Sequence, residues 1–332
     1  MASPSKHETG RDLTLLSVTR RFSTEEAAIK YFEQVRWPDG RYCPHCGNAD
    51  QARIYPLTAN KASKVRLGLY KCAECRDTFT VRVGTVMEDS HVPLHKWLIG
   101  FYMMCASKTQ ISALQLQRQL EIGSYSTALF LCHRIRFALM DMFPTDKLSG
   151  TIEADETYIG GRARGKGRAY KGNKTAVVSL VERGGRVRSR VVDAVTGKAI
   201  TRLLKDNAVH TSCLNTDESP VYAEVGRAFA AHDRVNHHDE EYARFDRKTG
   251  RLATTNTVEG FFGNSKRSID GTHHQISRKH TELYLAELDH KYNTRKLTDG
   301  ERTVIGIKRM EGKRLMLRTP KHGGATVLSK GF

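Results

Sequence analysis

Apolar positions along this chain change their period several times, and each change marks an element. Over 151–159 (TIEADETYI) they alternate, which predicts a strand with Glu153, Asp155 and Thr157 on one side and Ile152, Ala154, Glu156 and Tyr158 on the other. Further strands are predicted over 175–181 and 186–192, joined at the Gly184-Gly185 turn, with short ones over 212–216 and 234–237. Helices are predicted over 197–208 and 219–230, and 239–250 reads as a polar connection. From 256 to 267 the period becomes helical: Asn256, Glu259 and Lys266 share one face, and Val258, Phe261 and Phe262 supply a buried one. A last helix over 282–295 would bury Tyr284, Leu285, Leu288 and Tyr292.

Upstream, Ser23 followed by Glu26 predicts a capping box on a short amphipathic helix over 23–35. The runs 65–70 and 78–83 alternate as strands do, and 94–107 is apolar on most sides, as a buried helix would be. The segments 111–120 and 125–139, broken at Gly123, have the outline of a helix-turn-helix. In its second helix Leu129, Cys132, Ile135 and Leu139 make the inward stripe, leaving His133, Arg134 and Arg136 to face outward toward phosphates. Residues before 23 and after 295 read as loose tails. The predicted division is therefore 1–37 (tail and short helix), 38–85, 86–145 (helical), 150–295 and 296–332 (basic tail).

Charge narrows the partner. Lys and Arg number 54 against 36 acids, a net +18, and a surplus of that size favours a polyanion, nucleic acid above all. The loop 160–174 is rich in Gly, Lys and Arg, suited to holding a phosphate backbone. The polar start of the chain and the absence of a long apolar run exclude a signal peptide and a membrane span, so a cytoplasmic, nucleoid-associated protein is expected.

Two pieces of chemistry stand out. Cys43-Pro-His-Cys46 and Cys72-Ala-Glu-Cys75 are paired knuckles whose four thiolates suit tetrahedral Zn2+ in a zinc ribbon; a redox motif would account for one pair only. Four protein ligands leave no open position, so the metal is structural. The second piece is acidic. Asp155 sits in the first strand of the 150–295 region, Asp217 at the end of a later strand, and Glu259 on the helix near 256–267. The order of strands and helices fits a ribonuclease H-like mixed sheet, in which such acids can meet around two Mg2+ or Mn2+ ions and drive phosphoryl displacement. The expected fold class is multidomain α+β: zinc ribbon and helix-turn-helix, then a ribonuclease H-like α/β domain.

Taken together, the stretch Trp37-Pro-Asp-Gly-Arg-Tyr-Cys43 through Cys46-Gly, then Tyr70-Lys-Cys72-Ala-Glu-Cys75, Asp155-Glu-Thr-Tyr-Ile-Gly-Gly, Asn256-Thr-Val-Glu259-Gly-Phe-Phe, Lys266-Arg267 and Gly271-Thr-His-His274 resembles bacterial insertion-sequence transposases of the IS fifteen-ninety-five family. The resemblance implies a DDE transposase that binds terminal inverted repeats of double-stranded DNA, cuts DNA ends and transfers the 3′-hydroxyl into target DNA, as a homo-oligomer on its DNA. It implies Asp155 and Asp217 as the first two catalytic metal ligands. For the third, Asn256 and Glu259 both stand open. Glu259 lies two helical turns before Lys266, the spacing of acid and DNA-contacting base in DDE enzymes, and Lys266 with Arg267 would touch DNA. A non-catalytic DNA-binding protein and a nuclease without strand transfer are the competing classes.

Overall fold

A computed structural model describes residues 10–60, 62, 65–142, 144–160, 174–239 and 241–316, so nearly all of the basic loop at 160–174 and the chain after 316 lie outside the described residues. The chain is mixed α/β with a zinc-ribbon-like region toward its N-terminus, and it divides into two compact units, Met1–Met140 with Arg295–Phe332, and Asp141–Thr294.

The first unit is built from helices and a small sheet. What reads as an N-terminal tail contains a helix, Leu15–Arg21, with a Thr14–Ser17 capping box, and the next helix, Glu25–Arg36, is capped by Thr24 rather than Ser23. Its Thr24 hydroxyl accepts from the Ala27 amide. Three short antiparallel strands follow in the order β1 (Ile54–Pro56), β2 (Tyr70–Cys72) and β3 (Thr78–Phe79). The strands expected over 65–70 and 78–83 are thus cut back, because the only partners β2 finds are short ones and the chain turns into a knuckle at Cys72. Trp37 packs edge-on against Tyr42, Tyr70 and Phe79, making an aromatic floor for this region.

Helices Leu94–Ala106, Ala113–Gln119 and Tyr125–Leu139 appear where the periodicity places them. One expectation is overturned: His133, Arg134 and Arg136 are buried, not outward-facing. The helix is enclosed on nearly every side over 131–140. Arg134 lies over the Phe130 ring at 4.4 Å, and Arg136, 1% exposed, points an Nη at the Ile111 carbonyl. The basic tail from 296 is also corrected. Residues Asp299–Lys308 form a helix with a Thr298–Glu301 capping box, burying Val304 and Ile307. Gly306 has to be small, since a Cβ there would meet Leu139 Cδ2 at 2.7 Å. Beyond it, Glu311 accepts from Arg36 Nε and Nη2, at 2.5 and 2.8 Å, and so ties the end of the described chain to an early helix.

The second unit carries a five-stranded sheet ordered β6-β5-β4-β7-β8. Its strands are β4 (Thr151–Ile159), β5 (Thr175–Glu182), β6 (Val187–Val192), β7 (Cys213–Thr216) and β8 (Ala231–Arg234). Pairings β4–β5 and β5–β6 are antiparallel, whereas β4–β7 and β7–β8 are parallel. The period-two pattern sends Ile152, Ala154, Val178 and Leu180 to one face, where Ile200 and Leu204 of helix Gly197–Asn207 cover them. Val177 and Val181 go to the other, under Val258, Phe261 and Phe262 of helix Asn256–His273 and Leu285 and Leu288 of helix Thr281–Asn293. Glu153 and Asp155 therefore point toward the side of the Asn256–His273 helix.

Helix Thr281–Asn293 also closes the exposed edge of the sheet. The Val187, Ser189 and Val191 amides, every second residue of β6, donate to Asn293 Oδ1, Asp289 Oδ2 and Glu282 Oε1 at 2.7, 2.8 and 2.6 Å. Side chains of one helix thus replace a missing strand, satisfying donors that would otherwise invite edge pairing.

Three expectations change between 219 and 254. The predicted helix 219–230 shrinks to a 3-10 turn, Pro220–Tyr222, and one helical turn, Ala223–Gly226. The strand placed at 234–237 moves up to Ala231–Arg234, where it pairs with β7. The polar connection contains a two-stranded antiparallel hairpin, β9 (Ala243–Asp246) and β10 (Arg251–Thr254). Long-range pairing decides all three.

Candidate active site

Parallel register brings the first two acids level. Glu153 of β4 pairs with Asn215 of β7, so continuing the ladder two positions sets Asp155 beside Asp217, just past the C-terminal end of β7. The third acid enters on the Asn256–His273 helix, whose first turn holds Glu259.

How that helix is held is the most specific feature of the site. Thr255 occupies the N-cap position but makes no side-chain cap bond. Its hydroxyl donates instead to Glu259 Oε1 at 2.6 Å. The capping is done from across the sheet: Glu153 Oε2 accepts from the Thr257 and Val258 amides at 2.7 and 3.0 Å, and Oε1 accepts from the Thr257 hydroxyl at 2.8 Å. Glu153 is fully buried, and its charge is met by Arg183, whose Nε and Nη2 lie 3.0 and 2.9 Å from Oε1. A carboxylate at a helix N-terminus is favoured by both the free amides and the helix dipole. Arg183 continues to the Leu252 and Thr254 carbonyls, which also receive Asn215 Nδ2. Strand β4 thereby carries one acid into the cluster and uses another, two residues earlier, to fix the helix that delivers Glu259.

The cluster is electrostatically unrelieved. Burial pushes the Asp155 carboxyl up to about 7, the charges of Glu156, Asp217 and Glu259 add to the rise, and only the Glu156 amide opposes it. Asp217 is raised as well, burial again first, with Glu218 and Glu259 adding and His237 opposing. Several acids sharing one half-buried place, with no matching set of Arg or Lys among the described residues, suit a hard divalent cation, whose ligands are carboxylate oxygens. Tyr222, fully buried below, donates to Glu156 Oε2 at 2.7 Å.

Of the residues expected from sequence, the structure brings Asp155, Asp217 and Glu259 within electrostatic reach of one another. Asn256 is exposed at the start of the helix, and Lys266 and Arg267 are exposed further along it, Arg267 donating to Asn264 Oδ1 at 2.6 Å. Arg134 and Arg136 are buried in the other unit. Sequence reasoning missed His237, whose Nε2 lies 3.2 Å from both Glu259 Oε1 and Thr255 Oγ1, and it missed the capping by Glu153 and Arg183. The alternation did place Glu153 beside Asp155, but nothing local told one role from the other.

The four cysteines form the second centre. Sγ atoms of Cys43 and Cys75 are 3.6 Å apart, those of Cys46 and Cys72 are 3.7 Å apart, and all four lie within 4.8 Å of one another. Tetrahedral zinc with ~2.3 Å bonds needs sulfurs about 3.8 Å apart, so the set fits a structural zinc. The Cys75 amide leads in bringing the Cys72 thiol down to about 6, with the Glu74 amide and Asn48 Nδ2 helping. Among the described residues no other group of His, Cys, Asp or Glu is drawn together as tightly.

One chain thus carries a mixed sheet with acids at its strand ends and, in its other unit, a pair of cysteine knuckles whose four thiolates suit zinc. Comparison with known proteins is more specific. The family model described as ISXO2-like transposase domain matches residues 147–293, and that described as transposase zinc-ribbon domain matches 23–78. An uncharacterized protein in transposable element ISH50 of Halobacterium salinarum is 28% identical over 290 residues, 80% of this chain and 90% of the relative. The chain belongs to this family of insertion-sequence transposases.

Proposed function

We propose that the chain is a DDE transposase that binds the terminal inverted repeats of its element and carries out divalent-metal-dependent DNA cleavage and strand transfer. The observation that carries this reading is the convergence of Asp155, Asp217 and Glu259 from two adjacent parallel strands and one helix, where burial and the neighbouring acids raise Asp155 and Asp217. The domain from 150 to 295 is then ribonuclease H-like, with the sheet order β6-β5-β4-β7-β8 and its one reversed strand, β5, as support. Asp155, Asp217 and Glu259 would hold the cations. Bound Mg2+ or Mn2+ supplies Lewis-acid chemistry, drawing charge from the scissile phosphate and favouring attack by a hydroxyl. The chain's own residues do the rest. Thr255 and His237 fix the direction of Glu259, Glu153 and Arg183 fix its helix, and Lys266, two turns further, offers an exposed cation to the DNA backbone.

Glu259 is preferred to Asn256 as third ligand because Asp155 and Asp217 both feel its charge. In the first unit, helices Ala113–Gln119 and Tyr125–Leu139 serve as the helix-turn-helix, read from the exposed N-terminal turn Tyr125–Thr127 rather than from Arg134 and Arg136. The active form on DNA is a homo-oligomer. Incubating labelled terminal-repeat duplex with Mg2+ tests the proposal. Wild type and Asn256→Ala should cut it, while Asp155→Ala and Glu259→Ala should bind without cutting. Full cleavage by Asp155→Ala would overturn the assignment.

A further inference from the structure

The β9–β10 hairpin, which no sequence pattern announced, has surface chemistry that the cleavage centre does not use. Only Thr255 separates the end of β10 from the helix bearing Glu259. Its underside is firmly held: Arg183 and Asn215 bond the Leu252 and Thr254 carbonyls, the Thr254 hydroxyl donates to the Tyr242 carbonyl, and Arg251 donates to Asp233 at 2.8 and 3.3 Å.

Among the described residues the outer side is apolar and exposed. Phe245 and Leu252 are direct cross-strand partners and are 60% and 44% exposed, with Tyr242 at 58% just before β9. Cross-strand partners share a face, so Phe245 and Leu252 form one patch, while Tyr242 stands at the base of the hairpin on the His237 side. The Tyr242 ring stands 5.7 Å from that of His237, whose Nε2 lies 3.2 Å from Glu259 Oε1, so the base of the hairpin is one ring contact from Glu259. Cations lie on one side of Phe245. Arg244, Arg247 and Lys248 are exposed, and a cavity of about 510 Å³ is lined by Arg244, Arg247, Lys248 and Arg251 against Asp233 and Asp246.

Exposed rings on a held hairpin with Arg and Lys beside them are the chemistry that binds single-stranded nucleic acid, with bases stacking on the rings and phosphates meeting the cations. Bases inside an intact duplex are already stacked and offer it nothing. Net charge on the hairpin and on the chain favours DNA over a second copy of the same basic chain as occupant. Resting on the transposase reading above, we propose that the 243–254 hairpin holds unpaired nucleotides flanking the cleavage point, stacking them on Tyr242, Phe245 and Leu252 while Arg247 and Lys248 take the adjacent phosphates.

The test uses the full chain with its zinc and without Mg2+, so that binding is read apart from cleavage. The probes are two terminal-repeat duplexes carrying 2-aminopurine at the repeat end, one fully paired and one with the terminal nucleotides mismatched. Wild type should bind the mismatched probe more tightly, and Phe245→Ala should lose that advantage by roughly tenfold, the scale of one stacked base. Binding of the paired probe should hold. Arg247→Glu with Lys248→Glu should weaken the mismatched probe further and reduce its salt dependence. Equal affinity of wild type for both probes would overturn the proposal. So would Phe245→Ala dissociating an oligomer in sedimentation while leaving the probe preference intact, since the patch would then be an interface between copies. If wild type prefers the mismatched probe yet never cleaves when Mg2+ is added, the hairpin inference stands and the transposase reading falls.

Discussion

The thiolate centre and the carboxylate centre both gather anionic ligands, and they do so by opposite means. Each knuckle delivers two cysteines from one tight turn, and backbone amides of that turn already favour the Cys72 anion. The carboxylates come from three separate elements, and what surrounds Asp155 disfavours its anion, raising it to about 7. Burial raises the Cys43 thiol and, against the Asp77 amide, the neighbouring thiols raise Cys75, so the thiolate centre has its ligands placed, though not all ionised, by its own turns. The other needs a scaffold strong enough to hold like charges together, and the Glu153–Arg183 cap on the Asn256–His273 helix contributes to it. Ligand sets written into one turn are robust to the rest of the fold, whereas a converging set depends on bonds made far from the chemistry.

The comparison is broken most directly at the cysteines. Cys43→Ser with Cys72→Ser should abolish zinc content by metal analysis and unfold the ribbon, because structural zinc contributes on the order of 10 kcal/mol in such sites. A centre of local origin should fail locally, so the melting of the Asp141–Thr294 unit should not change.

Next in size is Glu153→Ala, which strips the helix amides of their acceptor and leaves Arg183 without its buried partner. A loss of roughly 3 kcal/mol in denaturant unfolding is expected, together with loss of cleavage although Asp155, Asp217 and Glu259 are untouched. Cleavage at the wild-type rate would show that the cap does not position the site. Glu153→Gln keeps an acceptor and should recover part of the stability.

pH sharpens the contrast. Asp155 has a folded-state pKa of about 7, above its ordinary 3.8, so the metal-free fold binds the proton more tightly than the unfolded chain does. Its contribution to stability is complete below 3.8 and is lost as pH rises through about 7. Thermal melting of metal-free protein should fall across that window, added Mg2+ should reverse the fall, and Asp155→Asn should flatten it.

The smallest effect is expected at the sheet edge. Asn293→Ala leaves the Val187 amide without its acceptor and should cost about 1 kcal/mol. Faster hydrogen exchange at Val187, with the carboxylate centre unaffected, would mark the edge cover as separate from the site.

How much of this was legible differs by element. The strand 151–159 and the helix 125–139 were bounded by their periods alone, because each is covered in a way that its own pattern encodes. The inward stripe of the latter was right about Cys132, Ile135 and Leu139, but Arg134 and Arg136 were misplaced. A helix packed on nearly every side buries its long cations too, through their stems and through carbonyl and ring contacts, and composition does not reveal that. The Asp299–Lys308 helix was taken for tail because its apolar residues are few; they matter only once Gly306 can approach Leu139. His237 looked like the end of a strand, and only the return of the chain at Thr255 makes it a neighbour of Glu259.

By itself, then, the amino-acid sequence determined the paired cysteine knuckles and the faces of the elements that carry Asp155, Asp217 and Glu259. Those features follow from spacing over a few residues, where one turn or one strand period sets the geometry. Tertiary structure alone decided that Asp155 meets Asp217 through a parallel register, that Glu153 caps a helix a hundred residues later, and that the 243–254 segment is a hairpin with an exposed apolar face. Each depends on which distant partner satisfies a given amide, charge or ring, and a linear pattern carries no record of that partner.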